Sequence, residues 1–232
     1  TYLELFTLPE SETGGEAYYA ETFGDVRVVA LYATRIWRGM DSHGASNSSF
    51  NEATSSLDDP LAQGWGRHIF EPIQAGSPQY EWLVQELQSE AFQSARYRIV
   101  MLHHPVHSLG GNVVPPFTNP VRLEERDENG ELVAIRYDYP KDANYLIRDL
   151  EPLFEEAGVD LVFNGHNHVW NRFESDGGVD YLETSNVGNS YGAYLDGYKA
   201  RSDLPEGEAW APANYDATND PYGLVPRVPT GE

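Results

Sequence analysis

Cysteine is absent from the 232-residue sequence, so neither a disulfide framework nor a thiolate metal site is available to it. Any metal it binds must be held by His, Asp, Glu, Asn or Tyr. Basic residues are scarce as well: 15 Lys and Arg stand against 37 Asp and Glu, a formal net charge of -22. A field of that sign repels phosphate backbones and anionic lipid, so neither a nucleic acid nor a membrane is an expected partner. The acidity serves solubility or draws divalent cations. No run of about 18 apolar residues occurs, and the opening TYLELFTLPESE has neither a basic start nor an apolar signal core. That opening lacks Met and reads as mid-domain sequence, so a processed or truncated product is expected.

What is present points to a globular chain. With 40% hydrophobic and 12% aromatic residues the sequence is too apolar for disorder, while 21 Gly and 15 Pro imply long loops. Its length suits one layered α/β domain, or part of one, over residues 1–232.

Residues 18–23 and 26–33 are rich in aromatic and β-branched side chains and flank Gly24-Asp25, which predicts a hairpin. The polar stretch 34–76 reads as a long surface excursion. Ser77-Pro78 starts a helix in which Tyr80, Leu83, Val84, Leu87 and Ala91 share one face. RYRIVMLHHPV (96–106) is a buried central strand running into histidines. Residues 109–140 read as an irregular insertion with a turn at Asn129-Gly130. Leu146, Leu150, Leu153, Phe154 and Ala157 predict a helix kinked or restarted at Pro152 and ended by Gly158. A second buried strand, 159–164, runs into Gly165-His166-Asn167-His168, and segments 169–174 and 179–184 predict a hairpin. From about 190 the chain reads as a loop-rich tail.

The chemistry lies where the two buried strands end. In an open α/β sheet, ligands bind beyond the carboxyl ends of the strands, so His103, His166 and His168 are expected to converge although far apart in sequence. Convergent imidazoles are metal ligands by default. His104 and His107 have two readings: proton donors to a leaving group, and so catalytic, or rings that hydrogen-bond a loop.

VMLHHPVHS and LVFNGHNHVWNRF, with YYAETFGDVRVVALYA upstream, resemble segments of the calcineurin-like metallophosphoesterases, and among them the purple acid phosphatases. The likeness covers roughly residues 5–190 and places this chain in the carboxyl-terminal part of the catalytic domain. It implies an α/β fold, a layered β-sandwich flanked by helices, incomplete at the amino-terminal side. It further implies that His103 and His166 ligate one metal ion and His168 the other, in a centre of two divalent or trivalent ions such as Fe, Zn or Mn. The family's Asp-x-His, Gly-Asp and Gly-Asn-His motifs lie before the point where this sequence begins, so an amino-terminal segment is an expected partner. Asp41-Ser42-His43 spells the first of them but sits in the polar loop and is set aside.

The implied activity is hydrolysis of a small-molecule phosphate monoester, with the ions activating water and polarising the phosphoryl group. A phosphodiesterase or nucleotidase on the same scaffold, and a catalytically silent structural or binding fragment, are the alternatives. Because the ligating imidazoles must be neutral, metal affinity is expected to fall below about pH 6. Family habit and acidity suggest a periplasmic or extracellular location. Arg172 reads as an ion-pair residue orienting its turn, Asn47-Ser48-Ser49 as a chance glycosylation triplet, and Gly188 and Gly192 as loop formers.

Overall fold

The computed structural model describes residues 5–33, 49–51, 71–108, 118, 121–138, 141–166 and 170–184. Strands β1 (Tyr19–Phe23) and β2 (Val26–Ala30) form the expected antiparallel hairpin, with Phe23 opposite Val26. Gly24 makes the two-residue turn at φ +63°, a conformation that favours glycine. β3 is a short strand, Ser49–Asn51, within the stretch read as a loop.

Helix α1 (Pro78–Leu87) begins where the sequence indicated, with the Ser77 side chain accepting the Tyr80 N–H and Pro78 in the first turn. It is shorter than expected. Ser89 accepts the Phe92 N–H and caps a separate helix, α2 (Glu90–Ser94), and the break re-phases the apolar face so that Phe92, not Ala91, is buried. Strand β4 (Tyr97–Met101) follows. The segment expected to be irregular contains the antiparallel pair β5 (Val121–Arg126) and β6 (Leu132–Asp138). In its turn the Asp127 carboxylate accepts the N–H groups of Asn129 and Glu131.

The kink at Pro152 takes a definite form. A π-helical turn, Leu146–Leu150, passes into α3 (Glu151–Ala157), so the proline falls in a first turn, where its missing N–H costs nothing. Gly158 ends the helix at φ +70°. The chain then forms β7 (Leu161–Asn164) and the hairpin β8 (Asn171–Glu174) and β9 (Asp180–Glu183).

Six strands make one sheet in the order β1-β2-β4-β7-β9-β8, and β3, β6 and β5 make a second. The four inner strands of the large sheet, β2, β4, β7 and β9, run parallel, and an antiparallel strand closes each edge. Their carboxyl ends therefore share one rim. The fold is mixed α/β with few helices.

A single register row crosses the sheet through Ala20, Val29, Val100, Val162, Tyr181 and Phe173. All six belong to, or pack against, the core that also takes Leu83, Leu87 and Phe92 from α1 and α2, and Leu146, Leu150 and Phe154 from the π turn and α3. Each fully buried aliphatic or aromatic side chain stabilises the fold by roughly 1.5–3 kcal/mol. The described helices thus lie on one face of the sheet. On the other, Tyr97, Met101 and Phe163 are exposed. Among the described residues no helix is long and apolar enough to cross a membrane.

Candidate metal centre

Both histidine motifs emerge on the shared rim because β4 and β7 are adjacent and parallel, with Met101 paired to Phe163. Beyond that pair the strands stay zipped: Leu102 N–H donates to the Phe163 carbonyl and Gly165 N–H to the His103 carbonyl. Asn164, buried at the end of β7, donates its side-chain amide to the carbonyls of Leu102 and His104, each at 3.0 Å. Those carbonyls flank His103, so one amide fixes the turn that presents it.

The result is close approach of two rings from distant sequence: His103 Nε2 and His166 Nδ1 are 3.0 Å apart. The rings meet edge to face, with centroids 5.0 Å apart. His166 is buried and adopts φ +88°, the one non-glycine residue with positive φ among those described. A backbone strained in this way persists only where its surroundings over-determine it, and such residues gather at functional sites.

His103 is exposed, and lines an open cleft of about 340 Å³ whose other walls include Leu31, Met101, Phe163, Gly165 and Thr184. His104 is not among the lining residues. It stacks on His166 at 4.5 Å between centroids, and burial, followed by the neighbouring His103, pushes it down to about 3. At that value the ring is neutral near pH 7.

His107 lies deeper, buried between Tyr181 and Phe173 with its Nε2 atom 3.4 Å from a Glu151 carboxylate oxygen. It too is absent from the cleft wall. Arg172 forms a two-pronged ion pair with Asp180 across the β8–β9 hairpin, the ion-pair role read from the sequence.

The pair His103 and His166 can be tested against a metal. Two nitrogens bound to one ion at about 2.0–2.1 Å lie about 2.8–3.4 Å apart for bond angles between octahedral and tetrahedral. The 3.0 Å separation is that of a hydrogen bond between the two rings, and it also falls within this range. Among the described residues no group of three or more His, Asp or Glu side chains is arranged to hold an ion. Two nitrogens alone are fewer donors than a metal site takes. His168, the third expected ligand, lies outside the described residues, as do Asp41, His43, Asn47, Gly188 and Gly192.

Sequence reasoning missed two supports. Asn164 carried no recognised motif of its own. Glu183, at the end of β9, is buried and accepts hydrogen bonds from Ser108 Oγ and from Asn171 Nδ2, the latter at 2.9 Å. An acid repeating in phase with buried Tyr181 along a strand was the available sign.

Among solved structures, the chain is similar to a purple acid phosphatase, PPD1, from yellow lupin (Lupinus luteus) seeds, at 14% identity and a TM-score of 0.41. That match covers 77% of this chain and 24% of the lupin chain. It is also similar to GAP50, the anchor in the inner membrane complex of Plasmodium, at 14% identity and a TM-score of 0.32, covering 72% of this chain and 35% of the other. The chain thus spans well under half the length of either. No family model and no curated protein matches it.

Proposed function

We propose that this chain is the histidine-bearing part of a metal-dependent phosphoesterase, in which His103 and His166 ligate one metal ion and His168 ligates a second. The observation that carries the reading is the 3.0 Å approach of the His103 and His166 nitrogens on the rim where parallel strands β4 and β7 end. The resemblance of VMLHHPVHS and LVFNGHNHVWNRF to metallophosphoesterase motifs supports it. In this reading the remaining ligands come from an amino-terminal segment that completes a sandwich-like domain.

Bound Fe, Zn or Mn ions would supply Lewis acidity and an activated water for hydrolysis of a phosphate ester. The chain's own residues do the rest. His103 presents a nitrogen to the cleft, and His166 offers a second from a buried, fixed ring. His104 and Asn164 hold those rings in place, His104 by stacking and Asn164 by fixing the turn. Leu31, Met101 and Phe163 form an apolar part of the cleft wall.

The test is titration of the 232-residue chain with Zn(II) and Mn(II) at neutral pH, followed by calorimetry. Uptake is expected, and His103→Ala or His166→Ala is expected to remove one binding event. Uptake unchanged in the double variant would overturn the assignment. Hydrolysis of an aryl phosphate, assayed with the upstream polypeptide supplied, tests the reaction itself.

A further inference from the structure

We propose that Glu183 is a positioning residue for the histidine site, its buried carboxylate fastening the exits of both histidine motifs to the end of β9. The proposal rests on the metal-site reading above and deepens it.

The register of the sheet locates it. One row inward from the rim, the helix-facing surface is apolar through Val100, Val162, Tyr181 and Phe173. At the rim itself the same surface turns polar: Asn164 pairs with Glu183, and Glu183 with Asn171, and all three are buried. Burying a carboxylate and two amides where Val or Leu would pack is costly unless each group is hydrogen-bonded. The bonds made here are specific. One carboxylate oxygen, Oε2, accepts from Ser108 Oγ and from Asn171 Nδ2.

Those two donors occupy corresponding places. Ser108 closes the segment that His103 opens, and Asn171 begins β8 on the carboxyl side of His166. A single oxygen therefore ties the chain leaving one motif to the chain leaving the other. Asn164 does the same for the entrances, through the carbonyls of Leu102 and His104. The two clasps are joined, since Thr184 N–H, next to Glu183, donates to the Asn164 carbonyl, and Thr184 lines the cleft beside His103. Pinning the chain on both sides of each histidine is what holds His166 at its unfavourable φ and keeps its nitrogen on His103. Supports of this kind orient ligands without touching the ion, and their loss costs about 10–100-fold in metal affinity.

The experiment uses the full chain without metal, then with Zn(II). Long-range 1H–15N correlation of the imidazole nitrogens reads the tautomer of each ring, which a purely structural residue would not alter while the protein stays folded. Wild type is expected to show one fixed tautomer each for His103 and His166. Glu183→Ala is expected to average them and to weaken Zn(II) binding about 10–100-fold. Glu183→Gln keeps the shape and an accepting oxygen, and is expected to restore both readouts.

Should Glu183→Ala not fold, Ser108→Ala removes one donor from a half-buried site and is expected to shift the same signals less. Wild-type imidazole signals in a folded Glu183→Ala or in Ser108→Ala would overturn the proposal, as would averaged tautomers in the wild type. If wild type takes up no Zn(II), the metal reading falls, while the metal-free spectra still decide the role of Glu183.

Discussion

His166 pairs a demanding backbone with a buried ring. Its φ of +88° costs a non-glycine residue about 1–3 kcal/mol, and glycine escapes that cost. His166→Gly and His166→Ala both delete the ring, so they differ mainly in backbone strain. The glycine variant is expected to be more stable than the alanine variant by about 1 kcal/mol in urea denaturation. Equal stabilities would mean that the turn relaxes once the ring is gone. Tyr181 offers a second case. Among the described residues its hydroxyl is buried without a hydrogen-bond partner, and burial, with Glu151 and Glu155 nearby, raises its pKa and keeps it neutral. Leaving such a group unsatisfied costs about 1–3 kcal/mol, so Tyr181→Phe is expected to raise the urea midpoint. A lowered midpoint would reveal a partner for the hydroxyl. Legibility divides at this same scale. His103 and His166 could be read because each follows an apolar run, and the end of a buried strand is a place periodicity can find. Asn164 and Glu183 could not, because their partners, Leu102, His104 and Ser108, are distant in sequence and become neighbours only through strand order.

Between elements, Asp149 shows how a loop is anchored. It sits in the π-helical turn, where its carboxylate receives Arg148 Nε at 2.6 Å and the Ala75 N–H, from the loop leading into α1, at 3.0 Å. The Arg148 hydrogen bond, more than the Ala75 amide, holds the carboxyl below its usual range. A depressed folded-state pKa contributes stability above the unfolded value, and loses it as pH falls through the folded one. Asp149→Asn is therefore expected to be less stable than wild type near pH 7, with the gap closing as pH drops below about 4. Urea midpoints across that range check this, and a gap that persists undiminished in acid would assign the effect to packing. Elements marked by both periodicity and a terminating residue were legible: α1 from Ser77-Pro78, α3 from Pro152 and Gly158, and the two edge hairpins from their glycine turns. The break at Ser89 was not, because a serine inside an apolar repeat looks like a tolerated polar position until its side chain is seen capping Phe92. The β5–β6 hairpin was hidden by its charge. Glu124, Glu125 and Arg126 suggest a solvated loop, and pairing with β6 organises them instead.

For the molecule as a whole, the excess of acid sets a background against which any metal site has to be measured. A net charge of -22 on one chain repels itself, and that repulsion is carried mostly by surface groups that salt screens. Thermal stability is therefore expected to rise between about 10 mM and about 0.5 M sodium chloride, as the screening length shrinks from about 30 Å to a few ångströms. Divalent ions condensing on the acidic surface would raise it too, but that gain should disappear at high salt and be the same for Mg(II) and Zn(II). Two converging imidazoles behave differently. Nitrogen donors favour Zn(II) over Mg(II), and a bound ligand stabilises the native state by about 2.7 kcal/mol at a hundredfold excess over its dissociation constant. Melting curves in high salt, with Zn(II) against Mg(II), separate the two effects. A Zn(II)-specific rise that survives the salt and is absent from His103→Ala places the cation on the β4–β7 rim, whereas equal responses to both metals place it on the acidic surface.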